Sequence, residues 1–152
     1  CEIKGIQASK NRFSFICADL SSIANYAKVS DFAFKTLKKY LPGAYTFVLP
    51  ASSKVPSILV QGKKTVGIRV PDNTIALDIV RMLGNPIVST SIHDDDEVLE
   101  YSTDPELIFE KWEHLVDGVI DGGYGDNLAS TIIDLTDAIP KIISTRFWVI
   151  YF

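Results

Sequence analysis

The segment from Lys63 to His93 constrains the fold most, because it carries the pattern of a strand, a helix and a second strand in succession. The stretch Thr65–Val70, which is rich in β-branched residues, predicts the first strand. Pro71 follows it and is expected to end the strand. Asn73 is a typical helix N-cap, and Gly84 is placed to end that helix in a left-handed conformation. Apolar residues resume at Ile87, so the segment predicts a β-α-β unit.

This β-α-β prediction also indicates where polar groups gather. Such a unit joins parallel strands through a right-handed crossover, and ligands of open parallel sheets bind beyond the carboxyl ends of the strands. Arg69 lies at the end of the first strand, whereas Ser89, Thr90, Ser91 and His93 follow the second. A guanidinium beside several hydroxyl groups suits a phosphate or a carboxylate, so we expect an anion site here.

The rest of the chain alternates short apolar stretches with helical patterns. Asp19 and Ser30 are predicted helix N-caps, and Ser102 or Thr103 caps a later helix. Apolar positions at helical spacing predict the buried helix faces, which hold Phe34, Leu37 and Leu41 in one helix and Ile75, Ile79, Val80 and Leu83 in another. Lys54–Leu59 is expected to be a short helix, and strands are expected at 13–17, 45–49, 116–120, 132–135 and 140–143.

Length and composition bound the class of protein. The 152 residues fit one domain over positions 1–152, and 47% apolar content suffices for a core. No apolar run is long enough to span a membrane, and no signal-peptide pattern opens the chain. Cys1 and Cys17 do not form a disulfide framework. We therefore expect a cytoplasmic protein without a membrane segment.

Charge is distributed unevenly along the chain. The net charge is −4, but residues 1–82 hold 12 Lys and Arg against 5 Asp and Glu, whereas residues 83–152 hold 3 against 14. Phosphate-binding groups are therefore expected in the first half and an acidic, solvated surface in the second. Asp94–Glu97 is predicted to be an exposed loop, since it lacks a calcium-loop pattern, and no metal site is predicted.

Residues 143–152 form an unusually apolar tail. Phe147–Phe152 in particular must pack on the domain or on a partner, because an exposed apolar segment of this kind promotes aggregation. The sequence does not indicate an oligomeric state.

Four motifs occur in a recognisable order: residues 42–47 read PGAYTF, 66–71 VGIRVP, 86–91 PIVSTS and 130–134 STIID. Together they resemble the YrdC/YciO family over roughly residues 1–143. The resemblance is closest to the YciO branch, where His93 stands in place of the usual Asn. It implies an α/β fold, a twisted open mixed sheet with flanking helices of the YrdC-like (DHBP-synthase-like) type. It also implies that the family's opening strand and helix precede Lys4, so that this chain is N-terminally incomplete.

The resemblance implies an activity as well. Family members form L-threonylcarbamoyl-AMP from ATP, bicarbonate and L-threonine for tRNA modification, with ATP as a substrate that Mg²⁺ accompanies. A nucleotidyltransferase of this kind is the first hypothesis for this chain, and no catalytic residue is assigned. The alternative is a double-stranded RNA-binding module that uses the concave basic surface of the same fold without catalysis.

Matching the family motifs residue by residue gives a candidate ATP and phosphate site. Ile6 stands where the family has an arginine, so one phosphate contact of the family is missing at this position, and Lys10 or Arg12 is the alternative cation. Ser144–Phe147 replaces the Arg-x-Gly element that family members usually have near the end of the domain. The residues that match are Lys4, Thr46, Arg69, Ser89, Ser91, His93, Ser130 and Thr131.

Overall fold

The structure, a computed structural model, describes residues 13–60, 64–90, 103–125 and 130–144. The chain divides into two compact units, one of residues 12–90 with 130–152 and the other of residues 1–11 with 91–129. The first unit holds the whole sheet, and the second holds one helix with the loop after it. The single domain over residues 1–152 stays a prediction.

The described strands are β1 (Ser14–Ile16), β2 (Tyr45–Pro50), β3 (Thr65–Arg69), β4 (Ile87–Ser89), β5 (Thr131–Asp134) and β6 (Lys141–Ser144). They form one six-stranded mixed sheet with the spatial order β4-β1-β3-β2-β5-β6. The β1–β3 and β2–β5 pairs are parallel, and the β1–β4, β2–β3 and β5–β6 pairs are antiparallel. This arrangement confirms the predicted α/β class with an open mixed sheet.

Side-chain caps start the four described α-helices, as their sequences favour. Asp19 and Ser22 form a reciprocal capping box, and the Asn73 side chain accepts a hydrogen bond from the Ala76 N–H at 3.0 Å. The last helix begins after Asp104, so the predicted cap at Ser102 or Thr103 was wrong by one or two residues. The helices are α1 (Leu20–Tyr26), α2 (Asp31–Tyr40), α3 (Thr74–Leu83) and α4 (Pro105–Trp112). Within the part of the chain that the structure describes, none of them has the length and apolarity to cross a membrane.

The strands bury one face of the sheet. Because side chains alternate along a strand, Phe47 and Leu49 of β2 share a face with their register partners Ile68 and Val66 of β3. All four are buried in the cluster that receives Ile23 from α1, Ala33 and Leu37 from α2, and Leu77 from α3. The alternate positions form the second face of the sheet. On β6 this face holds Lys141 and Ser144, the exposed register partners of Asp134 and Ile132. On β1 to β5 its residues are all partly exposed: Ser14, Ile16, Thr46, Val48, Gly67, Arg69, Ile87, Ser89, Ile132 and Asp134.

The predicted pairing of parallel strands across α3 was wrong. β1 lies between β3 and β4, and β4 runs antiparallel to β1 and therefore to β3. The carboxyl ends of β3 and β4 consequently lie at opposite ends of the sheet. The helix and its αL end at Gly84 (φ 70°) were correctly predicted, but local pattern does not encode strand direction. Here the edge pairing of the three-residue β4 with β1 decides that direction.

Four smaller predictions also differ from the structure. Residues 116–120 form no strand, and residues 54–59 contain only a 3-10 turn at Ser57–Leu59. In α2, Leu37 is buried, but Phe34, predicted on the same buried face, is exposed. In α3, Leu77 and Val80 are buried, whereas the predicted core residues Ile75 and Leu83 are exposed. A ten-residue helix packs through a narrow stripe, so apolar residues at its flanks stay in solvent.

Cys17, which follows β1, is fully buried in the core. Desolvation raises the pKa of its thiol from 9.0 to about 12, although a hydrogen bond with Ser22 acts in the opposite direction. A thiol in this environment stays protonated at neutral pH and behaves as a small apolar side chain.

We predict that the Cys17 thiol makes the protein less stable at alkaline pH. Above pH 9 the unfolded chain ionises this thiol while the folded chain keeps its proton, so the unfolding free energy falls by about 1.4 kcal/mol per pH unit. Urea titrations between about pH 8 and pH 10.5 on the protein and on Cys17→Ala measure the difference. Equal pH slopes in the two proteins would contradict this prediction.

Candidate functional site

The strand register arranges the second face of the sheet in two rows. One row runs Ser89, Ser14, Gly67, Val48, Asp134 across β4, β1, β3, β2 and β5. In the neighbouring row, Arg69 ends β3 one residue after Ile68, the partner of Phe47, and Thr46 precedes Phe47 on β2. Arg69 and Thr46 therefore lie at the same end of neighbouring strands and on the same face.

Thr46 contacts a second hydroxyl from the far side of β2. Its Oγ1 lies 2.9 Å from the Oγ of Ser130, the residue just before β5, and either hydroxyl can donate. The Thr131 N–H donates to the Ala44 carbonyl at 3.0 Å, which fixes the start of β5 beside the start of β2. Two of the predicted site residues, far apart in sequence, are thus in direct contact next to Arg69.

The turn before β2 explains why the sequence reads Pro-Gly at this point. The Gly43 N–H donates to the Val70 carbonyl at 2.9 Å, which ties the turn to the end of β3. A Cβ on Gly43 would lie 2.8 Å from the Tyr40 carbonyl oxygen, closer than real Cβ contacts. Glycine therefore lets the end of α2 approach the start of β2, and this approach positions Thr46.

A second hydroxyl pair lies on the other side of Arg69. The Oγ atoms of Ser14 and Ser89 are 3.1 Å apart, and the Ser89 hydroxyl also lies 3.2 Å from the Ser14 carbonyl oxygen, to which it can donate. Gly67 is the register partner of Ser14, and a Cβ there would meet the Ser14 Cβ at 3.2 Å. Because Gly67 has no side chain, the second face of the sheet is partly exposed backbone between Ser14 and Val48, in the row next to that of Arg69.

The two hydroxyl pairs are too far apart for one small group to bridge. Thr46 and Ser14, the nearest members of the two pairs, are separated by two strand spacings of about 4.8 Å and two residues of about 3.3 Å each, so their Cα atoms lie roughly 12 Å apart. A ligand that contacts both pairs must extend across several strands. The guanidinium suits an anionic group, and the hydroxyls donate to or accept from polar groups along its length.

Asp134 places a carboxylate on the same face. Its Oδ1 accepts hydrogen bonds from the Thr136 N–H at 2.8 Å and the Thr136 hydroxyl at 2.6 Å, so it stabilises the turn that follows β5.

The structure brings together Thr46, Arg69 and Ser130, with Ser89 further along the same face. Thr131 is buried and shares the register level of Tyr45, so strand alternation places its side chain on the core side. Sequence reasoning missed Ser14. The signal was available, because Ser14 is the polar residue next to Phe15 in an apolar strand, and alternation directs it away from the core. The predicted site residues Lys4, Ser91 and His93 lie outside the described residues.

A protein-family model named Sua5/YciO/YrdC, with the description "Telomere recombination", matches residues 1–145. The chain belongs to the Sua5/YciO/YrdC family. The resemblance stated from the four sequence motifs is thereby confirmed.

Relatives within the Sua5/YciO/YrdC family include proteins with and without a named activity. An uncharacterised protein of Haemophilus influenzae is 42% identical over 88% of this chain and 65% of its own length. YciO of Escherichia coli is 41% identical over 94% of this chain and 69% of its own length. The threonylcarbamoyl-AMP synthase of Bacillus subtilis is 32% identical over 93% of this chain and 41% of its own length. The chain thus spans about two thirds of the first two relatives.

Solved structures of the family agree with the described fold. The crystal structure of E. coli YciO matches with a TM-score of 0.86 at 38% identity, covering 95% of this chain and 70% of that one. Sua5 of Pyrococcus abyssi complexed with L-threonine matches with a TM-score of 0.79 at 30% identity, covering 91% of this chain and 41% of that one.

We predict that Gly67→Ala destabilises the protein by about 1–3 kcal/mol, because the added methyl group would lie 3.2 Å from the Ser14 Cβ and 3.3 Å from the Phe13 carbonyl oxygen across the β1–β3 pair. Urea unfolding measures the loss. The matched control repeats the substitution in a Ser14→Gly background, where the nearest atom is gone and the cost is expected to be smaller. An equal cost in both backgrounds would show that crowding against Ser14 is not the cause.

Proposed function

We propose that the second face of the sheet binds ATP and L-threonine, and that the protein is a nucleotidyltransferase that forms L-threonylcarbamoyl-AMP. The observation that supports this most is the cluster of Thr46, Ser130 and Arg69 at one end of the sheet. Three residues from three separate family motifs meet there, although 84 positions separate Thr46 from Ser130 in the chain. Relatives named as threonylcarbamoyl-AMP synthases supply the reaction class.

The proposed reaction needs charge compensation and orientation more than covalent help from the protein. The amine of L-threonine and bicarbonate give a carbamate and a molecule of water. A carbamate oxygen then attacks the α-phosphorus of ATP while the bond to the leaving pyrophosphate breaks. Arg69 would neutralise part of the phosphate charge, and the Thr46–Ser130 pair would orient the phosphate oxygens. Ser89, held by Ser14, would contact the more distant part of the ligands.

Magnesium enters this proposal on the nucleotide. Among the described residues, no group of three or more His, Cys, Asp or Glu side chains could hold a metal ion. Mg²⁺ commonly keeps several waters and binds through substrate phosphates rather than in a protein cage. ATP would therefore bring the ion into the site with its phosphates.

Double-stranded RNA binding remains the alternative prediction, and the described second face gives it less support. Its described residues include two cations, Arg69 and Lys141, together with the carboxylate of Asp134. Lys141 forms an ion pair with Asp137 at 2.7 Å. Affinity for a nucleic-acid backbone rests on several Lys or Arg contacts to phosphates. Hydroxyl pairs beside one guanidinium fit a small polyphosphate ligand better.

The purified protein tests the proposal through ligand-dependent stability and product formation. ATP with Mg²⁺ is expected to raise the melting temperature, because a ligand that binds only the folded state adds RT ln(1 + [L]/Kd) to its stability. L-Threonine, bicarbonate and ATP together are expected to release pyrophosphate. Absence of both effects would overturn the proposal, and stabilisation by ATP without pyrophosphate would reduce it to nucleotide binding.

For this site we expect Arg69→Ala to weaken ATP binding by about 1.5–3 kcal/mol, the range for a hydrogen bond to a charged group. The control is Arg81→Ala, which removes the same charge from an exposed position on α3, where Arg81 pairs with Asp78 at 2.9 Å. Isothermal titration with Mg²⁺-ATP compares the two variants. Equal affinities in both would remove Arg69 from the binding site.

Thr46→Val keeps the shape of the side chain but removes the hydroxyl that contacts Ser130. We predict that it weakens ATP binding by about 0.5–1.5 kcal/mol, the net worth of a neutral hydrogen bond, while Thr46→Ser retains most of the affinity. Titration calorimetry of both variants checks this. If Thr46→Ser and Thr46→Val weaken ATP binding equally, the hydroxyl at this position takes no part in binding.

A further inference from the structure

An open groove of about 670 Å³ lies at the end of the sheet opposite Arg69. Its lining includes Ala51 and Lys64, which are adjacent in the chain to the last register pair of β2 and β3, Pro50 with Thr65. Arg69 lies at the far end of that same β2–β3 ladder, four residues or roughly 13 Å away along β3. The groove is therefore distinct from the cluster of Thr46, Arg69 and Ser130 on the second face.

Two lysines flank one peptide unit of this groove. The Lys28 N–H donates to the Pro50 carbonyl at 2.8 Å, and the Ala51 N–H donates to the Lys64 carbonyl at 2.8 Å. The carbonyl and the N–H of a trans peptide unit point in opposite directions, so Lys28 and Lys64 lie on either side of the chain at Pro50–Ala51. Two strand spacings place their backbones roughly 10 Å apart.

Hydrogen bonds also hold the floor of the groove in place. Ser52 donates its N–H to the Tyr26 carbonyl at 2.9 Å and its hydroxyl to the Asn25 carbonyl at 2.7 Å. Ala27 and Ala51 form an isolated bridge, which joins the end of α1 to the end of β2. The lysine side chains therefore start from fixed backbone positions, which lowers the entropy that a ligand must remove.

The charge of the groove is one-sided. Lys28 and Lys64 are exposed, and the described lining residues include no carboxylate. Between the described residues, no ion pair neutralises either lysine. Serine hydroxyls line the groove beside them, and Val55 and Val60 give it an apolar wall.

Lys64 also has an unusual backbone. Its φ of 55° lies in the left-handed region, which residues with a Cβ other than Asn and Asp seldom adopt. Glycine would adopt this conformation more readily, so the lysine side chain is present here despite a conformational cost. Strained backbone of this kind concentrates at ligand-binding positions.

We propose that this groove binds a small phosphorylated metabolite, with the phosphate between Lys28 and Lys64 and an apolar part against Val55 and Val60. Ammonium groups are point charges that bind phosphate, and the hydroxyls of Ser53 and Ser57, which also line the groove, add hydrogen-bond donors. The limited volume and the apolar wall favour a small molecule over a nucleic-acid backbone. This site is independent of the proposed ATP and L-threonine site, because it shares none of its residues.

The test titrates the ¹⁵N-labelled protein with inorganic phosphate and with pyrophosphate, and follows backbone amide shifts. We expect saturable shifts at Ser52, Val55, Val60 and Lys64. Lys28→Ala and Lys64→Gly are each expected to raise the Kd about fivefold, the equivalent of about 1 kcal/mol for one exposed charge contact. Lys64→Gly suits the left-handed backbone, so loss of binding there does not come from loss of folding.

The matched control is Lys35→Ala, which removes the same charge from an exposed position on α2 outside the groove. An equal loss in this variant would overturn the proposal, because it would indicate a general charge effect. If the amide shifts are confined to Thr46 and Arg69 and disappear in Arg69→Ala, the anion binds to the second face. That result would also overturn the proposal. A short RNA duplex that perturbs the groove while phosphate and pyrophosphate do not would replace the small molecule with RNA.

Discussion

The antiparallel register between β2 and β3 is the constraint on which both candidate sites depend. Phe47 opposite Ile68 and Leu49 opposite Val66 direct four apolar side chains into the core, so the alternate residues must face the other way. A slip of one residue in this pair would bury Thr46 and Arg69 and expose the core residues. The buried face thus fixes the position of the polar groups, although those groups contribute little to the core themselves.

Glycine at two positions lets neighbouring segments approach closely enough for this register to produce a site. Gly43 brings the end of α2 to the start of β2, and Gly67 brings β1 against β3. The first contact positions Thr46 beside Ser130, and the second leaves the sheet bare between the two hydroxyl pairs. The backbone approaches, together with the hydroxyl groups, explain why the PGAYTF and VGIRVP motifs read as they do.

Sequence reasoning predicted local features well because their causes are local. Caps at Asp19 and Asn73, the left-handed end at Gly84 and the end of β3 before Pro71 all follow from residues within one turn of the feature. The direction of β4 was not predictable in this way, since it depends on which edge strand a three-residue segment pairs with.

In the candidate site, too, the identity of the residues could be predicted from local motifs, whereas their contacts depend on long-range strand pairing. Thr46, Arg69, Ser89 and Ser130 were nominated by motif resemblance, but the contact between Thr46 and Ser130 arises only when β5 pairs with β2. Thr131 was nominated with Ser130, yet the alternation of β5 turns it to the core side. The partner role of Ser14 needed the β1–β4 register before it could be recognised.

The positions of the Lys and Arg side chains in the first half of the chain also indicate which kind of ligand the protein binds. Lys35, Lys38 and Lys39 lie exposed on α2, Lys28 and Lys64 flank the groove, and Arg69 stands on the second face. No described surface gathers them into the continuous basic track that a long polyanion requires. A dispersed positive field raises the local concentration of small anions, and specificity then rests on the few hydrogen bonds at each site. The arrangement of charge therefore favours two small phosphate-bearing ligands, at opposite ends of the β2–β3 pair, over one extended nucleic-acid partner.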